Sequence, residues 1–303
     1  MPAGFQSTLL LTILLAIAWL FQHSKAGLTG VLVGSLACGA WALFVEPRKL
    51  RRRHFIHPIQ GLKPNQRLRL AVLGDLHVGA LHFGEQALRR VIERVQSEKV
   101  EMLILVGDYV IQRMPGGRPV PIERTAAMLA ETRLPTVAIL GNHDIWEGRQ
   151  HIETALNDAG IVTVVNHYCR LRIGDMELCV VGLDDESTGQ PNPAEAFPSE
   201  PPTGPLIILA HDPATFKREM PRTGDLLLSG HTHGGQVRIP GLGAILIPSH
   251  APLKWALGWS QTNAGPLYVT AGLGTSVLPI RFLCPPEYVI IDLVPISTDP
   301  EMG

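Results

Sequence analysis

The stretch that decides the fold runs from residue 68 to residue 77 and reads LRLAVLGDLH. It is a short apolar run followed by Gly and then by polar side chains. Four later stretches repeat this pattern, namely EMLILVGD (101–108), PTVAILGNHD (135–144), PLIILAHD (205–212) and DLLLSGHTH (225–233). Apolar runs of this length are typical of strands that are buried on both faces, as in the sheets of α/β proteins.

Amphipathic helices are predicted between the early runs. Residues 84–98 place Ala87, Leu88, Val91, Ile92 and Val95 on one helical face. The ranges 121–133 and 149–159 show the same pattern more weakly. Because strands and helices alternate, the sequence predicts an α/β architecture.

The second half of the chain is predicted to add more strands. Residues 168–173 and 176–183 flank a Gly-Asp turn and are typical of an antiparallel hairpin. Closing strands are predicted at 267–270 and 288–294. The Pro-rich stretch 186–205 is predicted to be a loop, either an inert connection or a lid over a site.

Polar residues follow each apolar run at its carboxyl end, where open α/β sheets assemble ligand sites. In an extended strand, residues two apart point to the same side, so Asp75 and His77 would approach one ion together, as would His231 and His233. Neighbouring glycines would let the backbone come close to that ion. The five clusters are Asp75-x-His77, Gly107-Asp108, Gly141-Asn142-His143-Asp144, His211 and Gly230-His231-x-His233.

Each cluster taken alone has an ordinary explanation. A D-x-H or H-x-H pair is usually a coincidence or a hydrogen-bonded surface pair, and Gly-Asp after a strand is usually a turn. The Gly-Asn-His-Asp cluster is also compatible with a capped turn that enters a helix. Five clusters in order, each after an apolar run, are hard to obtain by accident. The set therefore predicts one common site made of carboxylate, imidazole and amide groups.

In these five clusters the chain resembles the calcineurin-like metallophosphoesterase superfamily, whose pattern is D-x-H, G-D, G-N-H-[DE], H and G-H-x-H. The resemblance covers about residues 66–294. More narrowly, GHTHGGQ (230–236) and LPIRFLCPPEYVIIDL (278–293) look like the bacterial membrane-associated branch that is similar to the YkuE and YaeI phosphoesterases. The resemblance implies a two-layer β sandwich flanked by helices.

The resemblance also implies a role for each matching residue. Two divalent metal ions, Mn, Fe or Zn, would be bound, a choice that mixed imidazole, carboxylate and amide ligands without thiolate also allow. His143 would donate a proton to the leaving oxygen or stabilise it electrostatically, and Asp144 would orient the His143 ring. The first ion would be held by Asp75, His77 and His233, the second by Asn142, His211 and His231, and Asp108 would bridge them. Many relatives have a second acid soon after Gly-Asp, where this chain reads Tyr109-Val110-Ile111, a departure that bears on the substrate rather than on metal binding.

Two apolar stretches precede these motifs, at residues 8–21 and 28–45, and residues 1–45 contain a single charge, Lys25. We expect a transmembrane helical hairpin, a multi-pass anchor in the cell inner membrane. A secretory signal peptide cleaved near residue 26 and a buried soluble hairpin are the alternatives. Five basic residues between 48 and 53 follow the second stretch, which predicts that the catalytic domain lies in the cytoplasm.

The expected domains are a membrane anchor at 1–46, a basic juxtamembrane linker at 47–65, a catalytic domain at 66–296 and a tail at 297–303. In segment 242–259, Trp255 and Trp259 have helical i, i+4 spacing. This segment is predicted either to pack in the core or to form an interfacial or acyl-contacting surface.

Composition excludes several classes of protein. Of the 303 residues, 46% are hydrophobic and 17% are charged, which excludes intrinsic disorder. The 26 Lys and Arg nearly balance the 27 Asp and Glu, so no nucleic-acid partner is expected. The four cysteines have no C-x-x-C spacing, which indicates neither a disulfide framework nor a thiolate zinc site.

Three functions remain compatible with the sequence. The first is a membrane-anchored two-metal phosphohydrolase that cleaves a phosphodiester, a phosphomonoester or a pyrophosphate, with a lipid among the candidate substrates and membrane lipids as partners. The second is a UDP-2,3-diacylglucosamine hydrolase of lipid A synthesis, although that soluble family typically has Arg where this chain has His143. The third is an inactive metal-binding scaffold, against which the intact His143 and the seven ligand residues argue.

Overall fold

The structure is a computed structural model that describes residues 25–296. Two six-stranded β-sheets pack face to face, with helices on the outside. The strands are β1 (Arg51–Ile59), β2 (Leu68–Leu73), β3 (Met102–Leu105), β4 (Thr136–Ala138), β5 (Val162–Thr163), β6 (His167–Ile173), β7 (Met176–Gly182), β8 (Leu206–Leu209), β9 (Leu226–Ser229), β10 (Arg238–Ile239), β11 (Gly243–Ala244), β12 (Gly258–Thr262), β13 (Gly265–Val269) and β14 (Glu287–Pro295). The α-helices are α1 (Lys25–Ala40), α2 (Glu85–Ser97), α3 (Ile122–Ala130), α4 (Asn142–Asp158) and α5 (Pro193–Ala196). The predicted two-layer α/β sandwich is confirmed.

The strand order places the predicted apolar runs at the centre of each sheet. The first sheet has the order β1-β14-β2-β3-β4-β5, and β2 to β5 run parallel. The second has the order β12-β13-β9-β8-β7-β6, in which β7, β8, β9 and β13 run parallel. The β6–β7 hairpin pairs antiparallel, as predicted from its turn. The carboxyl ends of the parallel strands therefore meet along one edge of the sandwich.

The central strands are apolar throughout because each of their faces is covered. In β2, Leu70 and Val72 pack between the two sheets, whereas Ala71 and Leu73 pack against the outer helices. The second sheet behaves in the same way, because Ile207 points to the other sheet and Ile208 to its own outer layer. Burial on both faces is thus the physical reason for the uninterrupted runs.

Within the segment 47–65, which is expected to be a basic linker, residues 51–59 form the edge strand β1, which pairs parallel with β14 along its whole length. Phe55 points inward, and its ring centroid lies 5.0 Å from that of Tyr268. Side chains of β1 alternate between exposed and partly buried positions, and the three arginines at 51–53 conceal this alternation in the sequence. The sheet therefore begins almost directly after the apolar helix.

Residues 27–48 form a helix that is long and apolar enough to cross a membrane. It consists of α1, a π-helical turn at Trp41–Val45 and a 3₁₀ turn at Glu46–Arg48. Exposed apolar side chains such as Leu36, which is 74% exposed, cover its surface. The other predicted span, 8–21, lies outside the described residues.

Segment 242–259 is not a helix. It contains β11, a 3₁₀ turn at Leu253–Trp255 and the start of β12, so its two tryptophans do not share a helical face. Trp255 is buried in the outer apolar layer, while Trp259 stacks on His57 at 5.0 Å between ring centroids. The loop at 186–205 contains the short helix α5.

Candidate metal centre

All five polar clusters meet at the shared edge of the sandwich. Each follows a buried strand that ends there, and every one of the seven predicted metal ligands is buried. These residues are Asp75, His77, Asp108, Asn142, His211, His231 and His233. The topology therefore brings together residues that lie up to 158 positions apart, from Asp75 to His233.

The local geometry differs from the predicted strand alternation. Asp75 has φ 48°, His77 has φ 42°, His231 has φ 66° and His233 has φ 50°, so all four have left-handed backbone rather than extended backbone. Asp108 has φ 60°. Such conformations cost energy in residues other than Gly and concentrate at functional sites. The D-x-H and H-x-H side chains converge because of tight turns beyond the strands.

One group of donors consists of Asp75, His77, Asp108 and His233, whose ligand atoms all lie within 4.8 Å of one another. His77 Nε2 lies 3.1 Å from His233 Nε2 and 3.4 Å from Asp108 Oδ2. His233 Nε2 lies 3.6 Å from Asp75 Oδ1. The four ligand atoms therefore surround one point in space.

A second group consists of Asp108, His211 and His231, again within 4.8 Å. His211 Nε2 lies 3.2 Å from Asp108 Oδ2, the same oxygen that faces His77. Asn142 joins this group, because its Oδ1 lies 2.9 Å from His231 Nδ1. Asp108 is therefore shared by the two groups.

Hydrogen bonds on the far side of the imidazoles test whether the residues fit metal ions. His77 donates its Nδ1–H to the Val110 carbonyl at 2.9 Å, and His211 donates its Nδ1–H to the Val106 carbonyl at 2.7 Å. When neutral, both rings then turn a lone pair on Nε2 toward the Asp108 carboxylate. Backbone carbonyls hold metal-binding histidines in this tautomer. Lone pairs that face a carboxylate repel it unless a cation lies between them, so the residues fit metal ions.

His231 and Asn142 repeat this arrangement in the second group. His231 donates its Nε2–H to the Pro248 carbonyl at 2.5 Å, which leaves a lone pair on Nδ1. That lone pair faces the amide oxygen of Asn142, which is also an acceptor. In the first group, the buried Asp75 Oδ2 has no hydrogen-bond partner within residues 25–296. Both groups therefore present acceptors that a cation would satisfy.

The ionisation of the site follows from burial and from Asp108. Burial lowers the pKa of His77 to about 4 and that of His233 well below its usual value, so both rings are neutral. Burial also opposes a charged His211, but the Asp108 carboxylate raises the pKa of His211 well above its usual value. Burial raises the pKa of Asp75 to about 6. A cation would replace the proton of the His211–Asp108 pair, because metal binding releases protons from its ligands.

His143 lies beside the two groups without belonging to either. Its ring is 4.6 Å from that of His77 and 5.0 Å from that of Trp146, measured between centroids. Nε2 lies 3.3 Å from Ser276 Oγ, and the buried Nδ1 has no hydrogen-bond partner in the described part of the chain. Its backbone N–H donates to Asp108 Oδ1 at 2.9 Å.

Asp144, which is predicted to orient the His143 ring, is surrounded by backbone donors. Its carboxylate accepts backbone N–H groups from Asp108 at 2.7 Å, Tyr109 at 2.8 Å and Gly141 at 2.9 Å, and it makes no bond to the His143 ring. Because Asp144 is fully buried, it fixes the loop that carries Asp108. Gly141 is required beside it, since a Cβ there would overlap the Asp108 carboxylate.

Sequence reasoning missed three supporting residues. Arg281 is fully buried, and its guanidinium donates to the carbonyls of Ala271, Gly272, Gly274 and Cys284. This loop encloses Asp75, because Gly274 donates its N–H to the Asp75 carbonyl at 2.7 Å. The only sequence signal was the arginine inside the apolar LPIRFLC stretch.

The other two supporting residues are aspartates. Asp212 Oδ2 lies 3.7 Å from His231 Nε2. Asp185 is fully buried, and its negative charge contributes to the raised pKa of His211. Each ends or follows a predicted strand, as Asp75 and Asp108 do. The sequence pattern could have found them, but it does not distinguish supporting acids from ligands.

Comparisons with known proteins agree with this site. The family model for calcineurin-like phosphoesterases matches residues 68–235. The uncharacterized metallophosphoesterase YkuE of Bacillus subtilis is 28% identical over 289 residues, which are 90% of this chain and 96% of YkuE. The phosphodiesterase YaeI of Escherichia coli is 30% identical over 232 residues, which are 75% of this chain and 82% of YaeI. A Danio rerio protein named transmembrane protein with metallophosphoesterase domain is 28% identical over 71% of this chain and 50% of its own length.

The chain belongs to the calcineurin-like phosphoesterase family, because the family model spans more than half of it. It is a hydrolase of phosphoric esters that uses divalent metal bound by clustered Asp and His residues.

Proposed function

We propose that this protein is a membrane-anchored phosphohydrolase with two metal ions, which cleaves a phosphodiester, a phosphomonoester or a pyrophosphate. The observation that carries the proposal is the pair of donor groups that share Asp108 Oδ2. Asp75, His77 and His233 would hold one ion, and Asn142, His211 and His231 the other. The ligand types suit Mn, Fe or Zn.

When bound, a pair of ions polarises a phosphoryl group and supplies hydroxide for in-line attack at neutral pH. The protein's own residues provide a buried, rigid frame for this chemistry. Val106 and Val110 orient two of the imidazoles, and Asp144 holds the loop of Asp108. Because these supports are main-chain groups or fully buried side chains, the frame does not need to reorganise during the reaction.

His143 is proposed to serve the leaving oxygen. Burial lowers its pKa, so the ring is neutral near pH 7 and carries one N–H. A neutral imidazole donates that N–H as a hydrogen bond, or transfers the proton, to an oxygen on which negative charge develops. Ser276 positions the ring from one side and Trp146 from the other.

Membrane association is supported by the apolar helix at 27–48 and by the Danio rerio relative, whose name describes it as a transmembrane protein. The basic residues that follow the helix favour a cytoplasmic catalytic domain under the positive-inside rule. Nearly balanced charge gives no support for a nucleic-acid substrate. The lipid A alternative remains a prediction.

A metal and activity assay tests the proposal. The full chain in detergent would be supplied with Mn and assayed with a nitrophenyl phosphomonoester, bis-nitrophenyl phosphate and a lipid pyrophosphate. We expect two ions per chain and fastest turnover of the diester, with loss on chelation and recovery on adding Mn. His211→Ala should lose one ion, and the exposed His167→Ala is the matched control. One ion or none in the active wild type would overturn the two-metal assignment.

A further inference from the structure

The cavity above the metal-binding residues is large and mostly apolar. Its volume is about 990 Å³; His77 and Asp108 lie at its floor, while Met114, Trp146 and Ile280 line its walls. Pockets of this size hold ligands with many carbon atoms, since ligand sites span roughly 300–1,000 Å³. A phosphoryl group bound at the floor would leave most of the volume free.

The rim of this cavity exposes large aliphatic side chains to solvent. Leu246 is 79% exposed, Val277 is 76% exposed and Ile245 is 59% exposed, and all three line the cavity. Contiguous exposed apolar surface is uncommon on soluble proteins and marks contact with an apolar partner. The rim therefore has the chemistry of a surface that a hydrocarbon covers.

Part of this rim has a strained backbone that neighbouring contacts hold in place. Val277 has φ 63°, which is a rare conformation for a β-branched residue. Gln236 fixes the loop, because its Nε2 donates to the Ser276 carbonyl at 3.0 Å and its Oε1 accepts the Ser276 N–H at 2.8 Å. Ser276 Oγ in turn contacts the His143 ring. The apolar rim is thus held in a fixed position relative to the catalytic histidine.

The same region is joined to the end of the apolar helix. Val237, which lines the cavity, is bridged to Phe282, and Arg281 donates its backbone N–H to the Ala42 carbonyl at 2.9 Å. Leu283, between these contacts and Cys284, is 48% exposed. Exposed apolar side chains therefore lie both at the cavity mouth and beside the end of the apolar helix.

We propose, building on the proposed function, that the substrate is a membrane lipid whose phosphoester lies at the metal centre while its hydrocarbon chain lies on the rim of Ile245, Leu246 and Val277. The hydrocarbon chain of the lipid enters from the bilayer side, where the apolar helix ends. The rim residues are specificity determinants, because they contact the chain and not the reacting phosphorus. They bind long-chain esters more tightly than short-chain esters.

Chain-length selectivity tests this inference. The full-length wild type with Mn would be assayed in one detergent with nitrophenyl phosphodiesters that carry a methyl, butyl or decyl group. We expect kcat/KM for the decyl ester to exceed that for the methyl ester at least tenfold, mainly through KM. In the double variant Leu246→Gln/Val277→Asn this ratio should fall at least fivefold.

The variants are chosen to keep the fold. Leu246 is largely exposed, so it loses few contacts, and Asn tolerates the left-handed backbone at position 277 better than Val does. Leu253→Gln is the matched control, because Leu253 is 52% exposed and does not line the cavity. Leu253→Gln should keep the wild-type ratio of kcat/KM for the decyl ester to that for the methyl ester. Any preference that comes from partition of the esters into micelles is the same in this control, so it can be separated from binding at the rim.

Two results would overturn the lipid inference: a wild-type ratio near one, or a wild-type ratio retained in the double variant. Either can occur while the methyl ester is hydrolysed, which would leave the phosphohydrolase proposal intact. If no ester is hydrolysed, the proposed function fails. Calorimetric binding of decylphosphonate and methylphosphonate then decides the rim's role without turnover, since equal affinities would exclude a chain-binding surface.

Discussion

Asp108 is the residue that links the two donor groups. Its Oδ2 faces both His77 and His211, and its Oδ1 accepts the backbone N–H of His143. Its pKa is held well below the usual value by His211 and its other histidine neighbours, against the opposing effect of burial. An anion in this position reduces the mutual repulsion of two cations.

The first prediction is that Asp108→Ala lowers both metal content and turnover more than the loss of any terminal ligand. The reason is that one carboxylate serves both groups, whereas His211 or His233 serves one. Metal content would be measured by mass spectrometry after gel filtration, with circular dichroism to verify folding. Two ions retained at wild-type affinity would contradict the bridging role.

The second prediction separates proton donation from metal binding. His143→Ala should keep its metal and lose roughly 10²–10⁴-fold in turnover, the range usual for general acid catalysis. The loss should be smaller for esters with good leaving groups, which need less protonation. Rates across nitrophenyl and alkyl leaving groups provide the measurement, and an equal loss for all of them would leave only a positioning role.

Among the structural elements, β14 joins the N-terminal edge strand to the centre of the first sheet. Asp292 on β14 accepts hydrogen bonds from Arg69 on β2 at 2.6 and 2.9 Å, and it lies 2.8 Å from His54 on β1. The Arg69 hydrogen bond is the main reason why the pKa of Asp292 falls to about 2. One carboxylate thus ties three strands together.

The third prediction concerns the pH dependence of this tie. The folded state lowers the pKa of Asp292, so its contribution is present above about pH 4 and is lost as the pH falls toward 2. Since the pair is partly exposed to solvent, we expect Asp292→Asn to cost about 1 kcal/mol at neutral pH. The difference from wild type in unfolding experiments should shrink below pH 4. Asp175→Asn, in the exposed β6–β7 turn, is the control, and a constant difference from pH 7 to 3 would contradict the assignment.

At the scale of the whole molecule, the apolar helix is attached directly to the catalytic domain. Glu46 is buried at its end, where one carboxylate oxygen accepts the Trp41 indole N–H at 2.8 Å and the other accepts the Cys284 backbone N–H. Cys284 also lies against the His233 carbonyl, with its Sγ at 3.3 Å. A short path of contacts therefore connects the end of the apolar helix to the loop of His233.

The fourth prediction concerns topology. Basic residues follow the apolar helix, so the end that carries Arg48 and Lys49 should stay in the cytoplasm together with the catalytic domain. A fluorescent protein fused after residue 303 should be bright, and alkaline phosphatase fused there should be inactive. The reverse pattern would place the domain outside, as in the signal-peptide alternative, without affecting the metal site.

The sequence by itself determined the α/β architecture and the set of candidate ligands. Uninterrupted apolar runs indicate strands that are buried on two faces, and the polar residues after them indicate the sheet edge where the ligands lie. Both signals are local, so they can be seen in one sequence. The family resemblance then added the two-layer sandwich and a role for each residue of the site.

Only the tertiary structure decided how those residues are held. The left-handed turns at Asp75 and His231, the carbonyls that fix the imidazole tautomers and the backbone bonds of Asp144 depend on contacts between distant segments. The same is true of β1, which the sequence presents as a basic linker and which becomes a strand because β14 offers it an edge. The apolar rim over the metal centre also arises from loops that the fold brings together, because the sequence singles out segment 242–259 but does not place 277–278 beside it.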